Sequence, residues 1–137
     1  MDRISFSNTL KCKRESLNIS KYKVSKNTGL TSLQINRIED AVNSYSMGNI
    51  FKYLKAIGCN LQLVNNSNVD ALDCVEKFGS WVTKKRDSDM SMYSLAKQIG
   101  SNVVTITKIE TARSTVGVDL FLKIVDAFGY KIKIESV

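Results

Sequence analysis

Thr31, Ser32, Gln34, Asn36 and Arg37 crowd one short stretch, and helical spacing turns them away from the apolar pair Ile35 and Ile38. The amides of Gln34 and Asn36 carry a donor and an acceptor side by side, and the Arg37 guanidinium carries a fork of parallel donors. Such a face can make paired hydrogen bonds to flat polar edges, which is the chemistry of recognition. Catalysis finds no comparable support. The chain has no His, no cluster with metal-ligand spacing and no Gly-rich phosphate loop, so neither enzyme, metal nor cofactor is expected. The carboxylates Asp70 with Asp73, and Asp87 with Asp89, are expected to serve helix starts.

The elements that must hold this face occur twice. Ser20, Tyr22, Lys26, Gly29, Ile35, Ile38, Glu39, Lys52 and Gly58 are matched 71 positions later by Ser91, Tyr93, Lys97, Gly100, Ile106, Ile109, Glu110, Lys123 and Gly129. The chain reads as a tandem repeat of one structural unit. In the first copy Ile4, Phe6 and Leu10 mark a helix ending near Leu17. Ser20 is placed to cap a second helix, about Lys21 to Thr28, which ends at Gly29. Thr31 caps a third, Ser32 to about Asp40. Met47, Ile50, Phe51, Leu54 and Ile57 follow the i, i+3, i+4, i+7 pattern of a fourth, closed by Gly58.

The period then changes from about 3.6 to about 2. Cys59 to Val64 reads as a short strand, and Tyr130 to Ile134 as its counterpart. A lone strand leaves its backbone groups unpaired, so the economical arrangement pairs the two strands, an antiparallel pairing about a local two-fold axis being one form of it. Asn65, Asn66, Ser67 and Asn68 read as the linker, with Asn68 capping the helix that carries Leu72, Val75, Phe78, Trp81 and Val82. The fold class is therefore mainly α, with domains at 1–64 and 69–137, each ending in a strand.

Lys and Arg number 20 against 13 Asp and Glu, a surplus that favours a polyanionic partner. Ten basic and five acidic residues lie before residue 72, ten and eight after 71, so most of the surplus sits in the first half. Three cysteines without C-x-x-C spacing argue for reduced thiols in the cytoplasm. No signal peptide, long apolar run or lipidation motif directs the chain to a membrane.

The second and third helices are joined by a very short turn around a Gly, with Ser25 or Ala96 four residues before it. Val24 or Leu95, together with the isoleucine pairs, supplies the apolar contacts. On these residues each half resembles the Cro and lambdoid-repressor (XRE) type of helix-turn-helix domain. The segments that carry the resemblance are SKYKVSKNTGLTSLQINRIE at 20–39 and SMYSLAKQIGSNVVTITKIE at 91–110. It implies two tandem lambda-repressor-like domains, and a pairing of an Arg on the first helix with the Glu ending the third. Arg14 and Glu39 occupy those places in the first copy, Lys85 and Glu110 in the second.

The resemblance further implies that the third helix enters the major groove of double-stranded DNA. Thr31, Ser32, Gln34, Asn36 and Arg37 would read bases, Gln and Asn suiting adenine and Arg guanine, while Leu33 could touch a thymine methyl. Lys21, Lys23 and Lys26, with Asn43, Ser44 and Tyr45, would contact phosphates. In the second copy Asn102, Val103, Val104, Thr107 and Lys108 take the base-reading places, and Lys97, Arg113, Ser114 and Thr115 the phosphate ones. The implied function is a bacterial or phage transcriptional regulator of repressor type that reads an imperfect palindrome, as a monomer acting as a pseudo-dimer or as a homodimer. The alternative is a protein-binding module of the antitoxin kind, whose main partner is a protein.

Overall fold

The computed structural model describes residues 1–137, the side chain of Asp89 excepted. Its elements run α1 (Arg3–Ser16), α2 (Lys21–Thr28), α3 (Ser32–Asp40), α4 (Met47–Ala56), β1 (Cys59–Val64) and β2 (Val69–Leu72). They continue as α5 (Val75–Asp89), α6 (Met92–Gln98), α7 (Val103–Glu110), α8 (Val118–Ala127) and β3 (Lys131–Ser136). Four helices and a strand thus occur twice in the same order. Among the described residues no helix is long and apolar enough to cross a membrane.

Helix α1 starts where Asp2 accepts a hydrogen bond from the Ser5 amide at 2.8 Å. It buries Phe6, Leu10 and Arg14, one residue per turn on a single face. Ile4 lies off that stripe and is exposed. The matching face of α5 carries Phe78, Val82 and Arg86, which lie 72 rather than 71 positions on. On the same helix Gly79 is required by packing. A Cβ there would stand 2.5 Å from the Ile109 carbonyl oxygen, closer than any side chain can sit.

Residues 69–72 are a strand, which corrects the expectation of a linker leading directly into a helix. Val64 faces Val69 and Leu61 faces Leu72, so 65–68 is the turn of a hairpin. Asn65 Oδ1 accepts from the amides of Ser67 and Asn68, and the Asn65 amide donates to the Asn68 carbonyl. Asn68 therefore belongs to this turn and caps no helix. Cys74 takes the N-cap position of α5 without a side-chain hydrogen bond. The physical reason lies in β1, whose Leu61 and Leu63 are wholly buried and whose two edges both need partners. One edge takes β2, the other β3, in the order β2-β1-β3.

The pairing of β1 with β3 is antiparallel, with Gln62 opposite Lys133 and Leu61 opposite Ile134. A second contact of the same kind joins the loops after α3 and α7, where Ser46 bridges Gly117. Beneath both contacts runs one continuous apolar core. Phe121 of α8 packs on Phe6 at 6.5 Å and on Phe78 at 4.7 Å between ring centroids. Each such fully buried ring contributes about 1.5–3 kcal/mol by leaving water.

The acidic pairs do not share one role. Asp73 stands before α5 and pairs with Lys77 at 3.0 Å. Asp70 accepts from Trp81 Nε1 at 3.0 Å. Asp87 sits in the last turn of α5 against Arg86, away from any helix start, and Asp89 lies outside the described side chains.

Candidate nucleic-acid interface

The α2–turn–α3 unit is tied by short local bonds. Ser20 Oγ accepts from the Lys23 amide at 3.1 Å and starts α2. Gly29 leaves it with φ +75°, a conformation that costs glycine little. Ser25 Oγ then donates to the Leu30 carbonyl at 2.6 Å, and Thr28 Oγ1 accepts from the Leu30 amide at 3.0 Å. Thr31 Oγ1 accepts from the Gln34 amide while Gln34 Oε1 accepts from the Thr31 amide, so α3 opens on a reciprocal capping box.

The far end of α3 is locked from beneath. Glu39 is buried and accepts from Arg14 Nε and a terminal nitrogen at 2.7 and 2.9 Å, and from the Tyr53 hydroxyl at 2.6 Å. Arg14 also donates to the Ile19 carbonyl at 2.8 Å. Burial pushes the Glu39 carboxyl up, but the bonds from Arg14 and Tyr53, with the Lys21 charge, outweigh it and hold the group below its ordinary range. Burial next to that carboxylate raises the Tyr53 phenol. Ile35 and Ile38 are wholly buried on the same side. What faces outward is therefore fixed rather than free to roll.

Thr31, Ser32, Leu33 and Arg37 are exposed, Leu33 at 69%, and Gln34 and Asn36 are half-buried. Asn36 Oδ1 accepts from Lys21 Nζ at 2.9 Å, which joins α2 to the outer face of α3. Lys23, Lys26, Asn43 and Ser44 are exposed around it. Tyr45 is not, and its assignment to a phosphate is corrected. The residue is 6% exposed, its hydroxyl shares a hydrogen bond with Ser7 Oγ, and burial pushes its phenol up to about 12. The counterpart position is Val116, also buried.

The α6–turn–α7 unit has the same plan with different chemistry. Asn102 is the N-cap of α7, its Oδ1 accepting from the Thr105 amide at 2.9 Å, so its side chain is already engaged in capping. Thr107 Oγ1 turns back to the Val103 carbonyl at 3.0 Å. Val103, Val104 and Lys108 are exposed, Val104 at 63%. Lys97, Arg113, Ser114 and Thr115 are exposed too. The partner of Glu110 is Arg86, at 2.6 and 3.0 Å, with Thr83 Oγ1 adding a third bond. Lys85 points elsewhere, 3.4 Å from Asp70 and over the Tyr130 ring.

The two units meet through their loops. Met47 donates to the Val116 carbonyl and Val118 to the Tyr45 carbonyl, at 2.8 and 2.9 Å. The Gly48 amide donates to Thr115 Oγ1 at 3.1 Å. A cleft of about 440 Å³ lies there, lined by Gln34, Arg37, Ser44, Asn49 and Thr115. Asn49 is a polar residue that sequence reasoning passed over. Its signal was a place in the first turn of α4, where backbone donors cluster.

Residues 84–134 match the family model described as helix-turn-helix, a DNA-binding, transcription-regulator-like family. The match spans the end of α5 through most of β3, and so falls on the half whose exposed helix carries the valines. No curated protein and no solved structure matches the chain.

Proposed function

We propose that the chain is a sequence-specific double-stranded DNA-binding regulator of repressor type, bacterial or phage and cytoplasmic, with two helix-turn-helix units acting as a pseudo-dimer. It performs no catalysis in this reading. One observation carries it. Ser46 bridges Gly117 and Gln62 faces Lys133, and each pair is 71 residues apart, which supports a local two-fold relation between α3 and α7. An axis of that kind is what a palindrome offers, with half-sites about one helical turn, roughly 34 Å, apart. Unequal outer faces on α3 and α7 suit unequal half-sites, so the operator is an imperfect palindrome read by one chain.

Selection from random duplexes at stated salt, followed by footprinting and light scattering of the complex, tests this reading. An asymmetric site bound by one chain supports it; a two-chain complex on identical half-sites, or no enrichment, rejects it. Arg37→Ala is expected to cost about 1–3 kcal/mol of specific binding, while Lys23→Ala weakens all sequences alike and lowers the salt slope by about 1. The exposed pair Val103 and Val104 favours a second reading, in which the α7 face docks a partner protein of the toxin kind. Co-purification of a second polypeptide that Val104→Lys abolishes would distinguish it.

A further inference from the structure

Arg3 opens α1 and reaches out of its own half. Its Nε donates to the Ala41 carbonyl at 3.2 Å, and one terminal nitrogen donates to the Val42 carbonyl at 3.5 Å. The other terminal nitrogen meets Asp119 Oδ2 at 2.7 Å, in the first turn of α8. One planar group thus spans the exit of α3, where Ala41 turns with φ +55°, and the start of the last helix of the second half. Both ends favour the charge they receive, because a helix carries partial negative charge at its last turn and partial positive charge at its first. An exposed ion pair alone holds little, and the Asp119 side chain is 48% exposed. Here the fixed fork of the guanidinium grips backbone as well. One turn further along α1, Phe6 packs on Phe121 of α8, so the helix that carries Arg3 is itself seated on the second half.

The junction between the halves is otherwise nearly symmetric. Met47 to Val116 and Val118 to Tyr45 are the same backbone bond made twice, each residue 71 positions from its counterpart. The Arg3 bridge has no twin. Cys74 and Val75 stand where a second cation would recur, and Gly48 stands where a second carboxylate would. Ala112 leaves α7 with φ +54°, the conformation of Ala41 at the end of α3, so backbone shape alone calls for no clamp. A side-chain bridge that ends on the backbone of α3 fixes the distance from that helix to the second half more directly than the sheet does.

We propose that Arg3 is a positioning residue, in a role that rests on the regulator reading: by tying the end of α3 to α8 it sets the separation of α3 from α7, and so the half-site spacing that the chain accepts. Arg3 touches neither base nor phosphate in this role. One base pair more or less moves a half-site about 3.4 Å along the duplex and about a tenth of a turn around it. A clamp at this place therefore discriminates between operators whose half-sites are the same and whose spacing differs.

The test measures affinity of the full chain, at one salt concentration, for duplexes that carry its selected half-sites with the gap lengthened or shortened by one base pair. The unaltered chain is expected to bind the altered spacings roughly tenfold more weakly. Arg3→Met, which keeps an apolar stem and loses the fork, and Asp119→Ala are each expected to shrink that ratio about threefold or more. The double variant is expected to shrink it no further than either alone, since the bridge needs both ends. Lys23→Ala weakens all spacings alike and keeps the ratio. Without DNA, amide exchange at Met47, Gly48 and Val118 is expected to quicken roughly threefold in Arg3→Met, with the amides of Ile35 and Ile38 unchanged. An unchanged spacing ratio in either single variant, additive losses in the double variant, or unchanged exchange at the junction would overturn the clamp while DNA binding stood. No duplex enriched by the unaltered chain would reject the regulator reading, and the spacing role with it.

Discussion

Gln62 in β1 faces Lys133 in β3, the residue that occupies its own position 71 residues later. Antiparallel pairing of two equivalent strands can take many registers, but each is centred on one pair or one gap. Here the centre is a pair of counterparts, and Ser46 with Gly117 supplies a second such pair some distance away. The two halves are therefore in contact both through the sheet and through the loops after α3 and α7, and these two contacts couple them.

That coupling predicts one cooperative unit. Leu61 is wholly buried and sits between Leu72 and Ile134 in the sheet. Leu61→Ala is expected to cost about 2–5 kcal/mol, and to lower a single unfolding transition seen alike by Trp81 fluorescence and by far-ultraviolet dichroism. Two separated transitions would show halves that unfold independently.

Glu39 gives the stability an acid limit of known sign. Its folded carboxyl titrates below its ordinary value of 4.5, because bonds from Arg14 and Tyr53 outweigh the burial that alone would raise it. Ionisation thus stabilises the fold above the ordinary value, and the contribution drains as pH falls from there through the folded value. Glu39→Gln is expected to lose about 3–5 kcal/mol near neutrality, since Arg14 stays buried without its partner. The variant should also show a shallower acid slope in urea midpoints. An unchanged slope would mean that other carboxylates set the acid limit.

Local bonding was legible in the sequence and tertiary bonding only in part: the pairing of β1 with β3 was expected from the unpaired strands and the Arg14–Glu39 pair from the resemblance. Ser20, Gly29 and Thr31 act within a turn of their own positions, so type and spacing suffice to place α2 and α3. Arg86 was hidden because it stands six residues before the start of α6, whereas Arg14 stands seven before the start of α2. The shift moves the counterparts of Phe6, Leu10 and Arg14 by one position and substitutes Arg86 for Lys85 against Glu110. The buried aromatic pair Phe6 and Phe78 was the available clue. Strand β2 has four residues, too few for a period, and exists because β1 offers an edge. Half-buried Gln34 and exposed Asn102 carry capping bonds that a reading of outer faces alone would overlook.

Tyr45 is expected to act on stability alone. Tyr45→Phe leaves the buried Ser7 hydroxyl without its partner and is expected to cost about 1–3 kcal/mol. Burial raises the phenol from 10.0 to about 12, so its neutral form stabilises fully below pH 10 and that part is lost on rising towards 12. The Phe variant should lack this share of the alkaline loss and keep the affinity and salt slope of DNA binding. A slope reduced by about 1 in Tyr45→Phe would return the residue to the phosphate contacts.

Gln34 is asked to do two things, and they can be separated. Its Oε1 already accepts from the Thr31 amide in the capping box, and a Glu carboxylate accepts the same bond. Negative charge in the first turn of a helix adds about 0.3–1 kcal/mol. Gln34→Glu is therefore expected to keep or slightly raise the melting temperature. At a base edge the two side chains differ: an amide suits adenine, whereas a carboxylate can only accept, as from the cytosine amino group. Sequences selected by the variant should shift from adenine towards cytosine at one position of one half-site, with weaker binding overall. An identical selected site would assign Gln34 to the cap alone and move base reading on α3 to Asn36 and Arg37.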